Sequence, residues 1–323
     1  MIRYNSTSKK NKGLLFMQDI PHIPVLYREV LEAFDDVESG IIVDCTMGYG
    51  GHSSLLLENK PNIKLIGIDQ DQTAIDFSTV RLEPFKERVE IKKGRFSKVI
   101  KEILQENDIS QIKGILADIG VSSLQLDQKE RGFSYTSENL DMRMDKDAPL
   151  SASDVINSYS VVNLERVLKD YGEMRNYKQV AAFISANRPF HSAKELSDKL
   201  QHLLPHGKKI HPATLLMQAI RIEVNDELGE LNTLLDEIQS IGLVDTDVAI
   251  ISFHSLEDRI IKQRFTLWAQ NCICPPEAYR CTCSRDNAIG KAKFKKPLTS
   301  QNDELKQNPR SRSAKLRVFK IKR

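Results

Sequence analysis

The stretch "IIVDCTMGYGGHSSLLL", Ile41 to Leu57, constrains the fold more than any other part of the chain. Ile41, Ile42 and Val43 are β-branched and continuously apolar, the pattern of a strand buried on both faces. Gly48, Gly50 and Gly51 follow as a turn with no Cβ in the way, and His52 to Asn59 reads as a short helix stopped by Pro61. Strand, glycine turn and helix form the first unit of a nucleotide-type α/β site. Three details argue against phosphate as the guest. There is no Gly-Lys-Ser/Thr of a P-loop, and G-Y-G-G-H-S departs from G-x-G-x-x-G, so the dinucleotide fingerprint is incomplete. Asp44 sits where its charge would repel a phosphate and attract a cation. The expected guest is adenosine-like and positively charged.

Further along, "KLIGIDQD" (Lys64 to Asp71), "VEIKKGRF" (Val89 to Phe96) and "IKGILADIGVSS" (Ile112 to Ser123) read as three more strands. Helical segments over Gln72–Leu82 and Phe96–Glu106 separate them, so the alternation predicts a doubly wound parallel sheet. After Gln125 strand signals vanish for about 120 residues. That interval carries helix punctuation instead: Asn163 as N-cap and Gly172 as C′ residue of one helix, and a Ser192/Glu195 capping box before Pro205. Pro212 reads as the first helical position of the next, and "DELGELNTLLDEIQSIG" follows. "DVAIISFHS" (Asp247 to Ser255) and "KLRVFKI" (Lys315 to Ile321) then return as strands. The expected organisation is a disordered extension over 1–16, a discontinuous Rossmann-like domain over 17–126 and 212–323, and an inserted helical domain over 127–211. An insert after a strand's C-terminal end overhangs the ligand crevice of such sheets, a position suited to substrate recognition.

The site chemistry sharpens the guest. Asp69 closes the second strand, where a carboxylate is the usual partner of a ribose hydroxyl. Phe96 either lies along an adenine face or packs in the core. Asp118 ends the fourth strand at the crevice mouth, followed by Gly120, Ser122 and Ser123. S-adenosylmethionine fits this set: ribose and adenine, no phosphate, and a sulfonium and an ammonium that Asp44 and Asp118 would attract. Composition adds a polyanionic partner. Residues 284–323 hold 13 Lys/Arg against 3 Asp/Glu, leaving a net charge of −7 on the rest of a chain whose total is +3. A basic tail on an acidic body reads as a polyanion binder, the alternative being a solvated tail. No apolar run approaches the roughly 18 residues of a membrane span. Five cysteines without a secretory signal point to the cytoplasm. Four of them, Cys272, Cys274, Cys281 and Cys283, form C-x-C-x6-C-x-C, tighter than the usual zinc knuckle. Free thiols and a structural zinc both remain open there, and no metal is assigned to the reaction.

The segments "HIPVLYREVL", "DCTMGYGGHS", "GIDQD", "ADIGVSSLQLD", "RGFSY", "LDMRMD", "HPAT…QAIRIEVNDEL", "ISFHSLEDR" and "NPRSRSAKLR", in this order from His22 to Arg317, closely resemble the MraW/RsmH family. Those are bacterial methyltransferases acting on N4 of a cytidine in small-subunit ribosomal RNA. The resemblance implies a class I S-adenosylmethionine-dependent methyltransferase fold with an inserted helical domain. It implies cofactor contacts by Gly50, Gly51, His52, Asp69, Phe96, Asp118 and Gln125. The partner is then 16S ribosomal RNA in its decoding region, within the small subunit, with no membrane, no obligate protein partner, and a monomer or homodimer.

Transfer to an exocyclic amine needs a hydrogen-bond acceptor near the nitrogen. DNA amino-methyltransferases place it in an Asp/Asn/Ser-Pro-Pro-aromatic tetrapeptide after the fourth strand; here that place reads Asp118-Ile119-Gly120-Val121. Asp118 is the first choice for the catalytic acceptor, with cofactor binding as its alternative role. Arg131, Asp141 and Arg143 in "RGFSYTSENLDMRMD", with Phe133 and Tyr135, are expected to reach the substrate base or its phosphates, unless they form an ion-paired loop with a packed aromatic. His254 is a candidate general base or a structural hydrogen-bonding histidine, and Arg310 and Arg312 are candidate phosphate contacts. Two other classes stay in view: a non-catalytic RNA-binding assembly protein, and a nicotinamide oxidoreductase.

Overall fold

The structure, a computed structural model, describes residues 24–204, 211–275, 277–284 and 286–322. The expected extension over 1–16 and the Pro205 stop lie outside these. Seven strands form one sheet: β1 (Ser39–Asp44), β2 (Asn62–Asp69), β3 (Val89–Lys93), β4 (Ile112–Asp118), β5 (Thr246–Ser252), β6 (Gly290–Ala292) and β7 (Lys315–Ile321), in the order β3-β2-β1-β4-β5-β7-β6. β3, β2, β1, β4 and β5 run parallel, whereas β7 is antiparallel to β5 and β6 antiparallel to β7. The order reverses between β1 and β4, so a crevice opens beyond their carboxyl ends.

The helices are α1 (Tyr27–Ala33), α2 (Gly51–Asn59), α3 (Gln72–Leu82), α4 (Phe96–Glu106), α5 (Ser123–Asp127), α6 (Ala152–Ser158), α7 (Val161–Asp170), α8 (Tyr177–Ala186), α9 (Ala193–Leu200), α10 (Thr214–Asn225), α11 (Glu227–Ser240), α12 (Ser255–Trp268) and α13 (Asn302–Gln307). Each apolar strand divides its side chains between two cores by the two-residue period. Val43, Ile115 and Ile250 join Ile100, Ile103, Leu234 and Phe265 on one face; Ile42, Leu116 and Ile251 join Phe34, Leu56 and Leu57 on the other. This is why the strands read as unbroken apolar runs. A third core holds α6 to α10, with Val155, Leu164, Ile184, Leu196 and Ile220 fully buried.

Several local expectations shift. Ser160, not Asn163, caps α7, its hydroxyl accepting from the Asn163 N–H. Ser192 accepts from the Glu195 N–H, but the Glu195 carboxylate turns to the His191 N–H, so only half of the box forms. α10 begins at Thr214, two residues past Pro212, and its Leu216, Met217 and Ile220 belong to the helical core. The helical core therefore runs to Val224, beyond the expected boundary at 211/212, and ends where Asp226 breaks the helix at φ 51°. β6 carried no signal, being three residues long. Its Gly290 lies so close to β7 that a Cβ would fall 2.0 Å from the Lys320 carbonyl oxygen. Among the described residues no helix is long and apolar enough to cross a membrane.

The basic C-terminal stretch is not a tail. β7 lies between β5 and β6, and many of its cations face acids of the body: Arg317 and Lys315 meet Asp258 at 2.7 and 3.0 Å, Lys320 meets Asp245 at 2.8 Å, and Lys293 meets Asp35 and Asp36 at 3.0 and 2.9 Å. Removing it should unfold the protein. Leu316, Val318, Phe319 and Ile321 are each at most 2 % exposed; at about 1.5–3 kcal/mol per buried side chain, roughly 6–12 kcal/mol depends on them, comparable to the stability of a whole domain. A chain ending at residue 288 should show no cooperative thermal transition by circular dichroism, whereas a solvated tail would be removable without effect.

Candidate active site

The glycine turn is held from below. Gly48 and Gly50 take φ of 53° and 73°, and Gly50 caps α2, where a Cβ would press against Ser78 at 3.3 Å. Asp44 is 1 % exposed; its carboxylate accepts from the Ser53 hydroxyl at 2.7 Å and the Thr46 N–H at 3.2 Å. Burial pushes its pKa up against these bonds. Asp44 braces the turn and does not line the crevice, so any attraction it exerts on a cation acts from beneath the turn.

Above the turn lies a cavity of about 910 Å³. It gathers Gly51, His52, Asp69, Phe96, Asp118, Gln125, His254, Arg310 and Arg312, which the sequence scatters over some 260 positions. Asp69 stands at its floor, accepting from the Gly48 N–H at 2.7 Å and the Asp71 N–H at 2.8 Å. Burial, helped by the charges of Asp71 and Asp44, pushes its pKa up to about 6 despite those bonds. Asp118 is fixed by its own N–H, which donates to the Thr46 hydroxyl at 2.6 Å. Its Oδ2 lies 3.6 Å from His52 Nε2. Its Oδ1 and both His52 ring nitrogens are buried with no hydrogen-bond partner. Phe96 begins α4, with its ring both on the crevice wall and against the sheet core, so its two expected roles coincide in place.

These features suit S-adenosylmethionine. A partly satisfied carboxylate can accept from ribose hydroxyls, and unpartnered buried acceptors beside a turn of small residues suit a cation.

Beyond α5 the loop is organised by Asp71. One of its oxygens accepts from Gln125 Nε2 at 3.1 Å and from Arg131 at 2.9 Å, while the other caps α3 through the Thr73 N–H. Burial opposes the Asp71 charge, but Arg131 and Gln125 outweigh it and hold the carboxyl below its usual range. The same guanidinium donates to the carbonyls of Arg143 and Met144 at 3.0 Å, and Asn225 takes the Met144 N–H at 2.8 Å and donates to the Met142 carbonyl at 2.9 Å. Arg131 is thus 5 % exposed and, like Asp71, supports the wall from behind its lining residues. Arg143 grips Asp141 through two bonds of 2.8 and 2.9 Å, and neither lines the cavity. Of the two readings of Arg131, Asp141 and Arg143, the structure shows the ion-paired loop in place of a reach into the cavity, with Phe133 packed at 4 % exposure.

His254 also takes its structural role. It caps α12, its Nδ1 accepting from the Glu257 N–H and its Nε2 lying 3.1 Å from Glu257 Oε1. Lys129, Ser134, Tyr135 and Thr136 instead carry the loop to the crevice, with Tyr135 stacked on His211 at 3.8 Å between ring centroids. Arg310 clamps Asp127 with two bonds of 2.5 and 3.1 Å, closing the rim, and Arg312 stands exposed beside it.

Sequence reasoning missed Asp71 and Asn225 as organisers. Asp71 was visible only as a second acid in "GIDQD", and nothing in "EVNDEL" marks which residue turns inward. Their weight is measurable. Arg131→Ala strands a buried carboxylate and should lower stability by about 3–5 kcal/mol, whereas Arg312→Ala, at an exposed position, should change it by less than about 0.5 kcal/mol. Urea unfolding of both variants compares them; equal stabilities would deny Arg131 that supporting role.

Comparison with known proteins identifies relatives of this chain. Proteins named ribosomal RNA small subunit methyltransferase H are similar along almost their whole length: that of Sulfurimonas denitrificans is 71 % identical over 307 residues, covering 95 % of this chain and 100 % of the relative. Those of Nitratiruptor sp. and Aliarcobacter butzleri are each 56 % identical, covering 94 % of this chain and 99 % of their own. With a family profile matched over residues 19–322, the chain belongs to the MraW methylase family.

Proposed function

We propose that this chain transfers a methyl group from S-adenosylmethionine to the exocyclic N4 of a cytidine in the decoding region of 16S ribosomal RNA, within the small subunit. The observation that carries the reading is Asp118. It ends β4 at the crevice mouth with a buried, unpartnered oxygen, beside a turn that suits a cationic nucleoside. The names of the relatives support ribosomal RNA of the small subunit as the substrate.

S-adenosylmethionine supplies an electrophilic methyl group on a sulfonium. The chain's own residues do the rest. Asp69 orients the donor through its ribose, and the rigid turn fixes the approach. The cytidine amine is a weak nucleophile because its lone pair is delocalised into the ring. Asp118 accepts a hydrogen bond from that amine, favouring a pyramidal nitrogen and relieving charge as the methyl arrives. Phe133, Tyr135 and the helical core form the opposite wall, and Arg312 offers a cation to the RNA backbone at the rim.

Attack at C5 of a pyrimidine would need a thiolate instead. Cys45 is the one cysteine among the lining residues, and burial, with Asp44 adjacent, pushes its thiol well up. An amine target is the better match.

Two outcomes follow. Small subunits from cells lacking this activity should accept labelled methyl groups, and nuclease digestion should release N4-methylcytidine; label in 5-methylcytidine, in a ribose-methylated nucleoside or only in protein would overturn the proposal. The second concerns pH. Only ionised Asp69 is a pure acceptor, so donor affinity should be constant above about pH 7 and fall as pH drops through about 6. Asp69→Asn should flatten that profile and weaken binding at pH 8 by about 1.5–3 kcal/mol. Calorimetry giving the variant an unchanged profile would place the ribose elsewhere.

A further inference from the structure

Between α12 and β6 the chain makes an exposed loop whose order has no hydrophobic source. Its neck is tied: the Asn287 N–H and side-chain amide both donate to the Asn271 carbonyl, at 3.3 and 3.0 Å, and the Ile289 N–H donates to the Trp268 carbonyl at 2.9 Å. Beyond the neck no apolar side chain among the described residues is buried; Ile273 is 63 % exposed and Tyr279 is 95 % exposed. What the loop encloses is sulfur. The Sγ atoms of Cys272 and Cys281 are 3.6 Å apart, Cys272 and Cys283 3.7 Å, Cys274 and Cys281 3.9 Å, and Cys281 and Cys283 3.4 Å. All four lie within 4.8 Å of one another.

Those separations decide between the chemistries available to four cysteines. A disulfide would bring one pair to about 2.05 Å, and no measured pair approaches it. Tetrahedral zinc with Zn–S bonds of about 2.3 Å sets every sulfur–sulfur edge at about 3.8 Å, within the range of these four separations. The Thr282 N–H also points at Cys274 Sγ, at 3.2 Å, as backbone donors do around metal thiolates. The tight C-x-C spacing is accommodated because each pair supplies one edge of the tetrahedron.

We propose that Cys272, Cys274, Cys281 and Cys283 bind one structural zinc ion, which orders the loop between α12 and β6 and holds Tyr279 and Arg280 outward. Binding replaces the four thiol protons with the metal and releases them to solvent; no oxidation occurs. None of the four cysteines lines the crevice, so the ion takes no part in methyl transfer. The other grouping of potential ligands, Glu227, His254 and Glu257, is already committed: Glu227 pairs with Arg221 through bonds of 2.7 and 2.9 Å, and Glu257 accepts from the N–H groups of Phe253 and His254.

Elemental analysis of the full chain, purified reduced and without chelators, tests this. About one zinc per chain is expected, released on titration of the thiols with a mercurial. Cobalt(II) exchanged into the wild-type protein should give the visible spectrum of a tetrahedral thiolate site, a readout that needs no variant to fold. Cys274→Ser with Cys283→Ser should lower zinc content at least about tenfold, while Cys45→Ala keeps it. Absence of zinc together with absence of the cobalt spectrum, stoichiometric iron in its place, or a Cys272–Cys281 disulfide in peptide mapping would each overturn the assignment.

Discussion

The crevice keeps its shape because one buried arginine satisfies both of its walls. Arg131 gives one side of its guanidinium to Asp71, at the end of β2, and the other to two carbonyls of the loop that leads into the helical core. A charge removed from water is tolerable only when it is paired and hydrogen-bonded, and here the acceptors come from two stretches of chain, Asp71 and the Arg143–Met144 carbonyls. Gln125 shares the same Asp71 oxygen, and Asn225 pins the far end of the loop from α10. The position of Phe133 and Tyr135 over the sheet follows from this network rather than from the loop's own preferences.

Three acids end three neighbouring strands, and their differing satisfaction separates their roles. Asp44 has two donors, no exposure and no access to the cavity. Asp69 keeps two backbone donors, yet burial lifts it to about 6, poised for a further donor. Asp118 retains an oxygen with nothing attached. In the function proposed above, the gradient runs from structural brace to ligand partner to reacting site, since buried acceptors left unsatisfied are where a ligand's donors belong.

The C-terminal region shows why charge counts mislead when topology is unknown. Its excess of Lys and Arg reads as an arm for polyanions, but β7 is an interior strand and its cations are distributed over Asp258, Asp245 and Asp247. Among the described arginines there, Arg310 and Arg312 line the crevice, because the short 3₁₀ turn Pro309–Ser313 places them at its rim. A local charge excess in sequence becomes a small directed patch in space.

The sequence by itself determined six of the seven strands, the glycine turn, the three acids and the kind of cofactor, since each rests on local periodicity or on residues adjacent in the chain. Gln72–Leu82 and Phe96–Glu106 are helices to the residue for that reason. Element ends set by side-chain competition were less legible: Ser160 wins the cap over Asn163, and α10 joins the helical core although Pro212 suggested an earlier start. Which charged residues pair with one another was not legible at all. Arg131, Asp141 and Arg143 look like substrate ligands in a motif, and only the tertiary structure turns them onto Asp71, onto backbone carbonyls and onto each other. A charge's partner is whichever opposite group the fold brings within a few ångströms, and that pairing joins positions 60 apart in the chain for Arg131 and Asp71, beyond the reach of any local pattern.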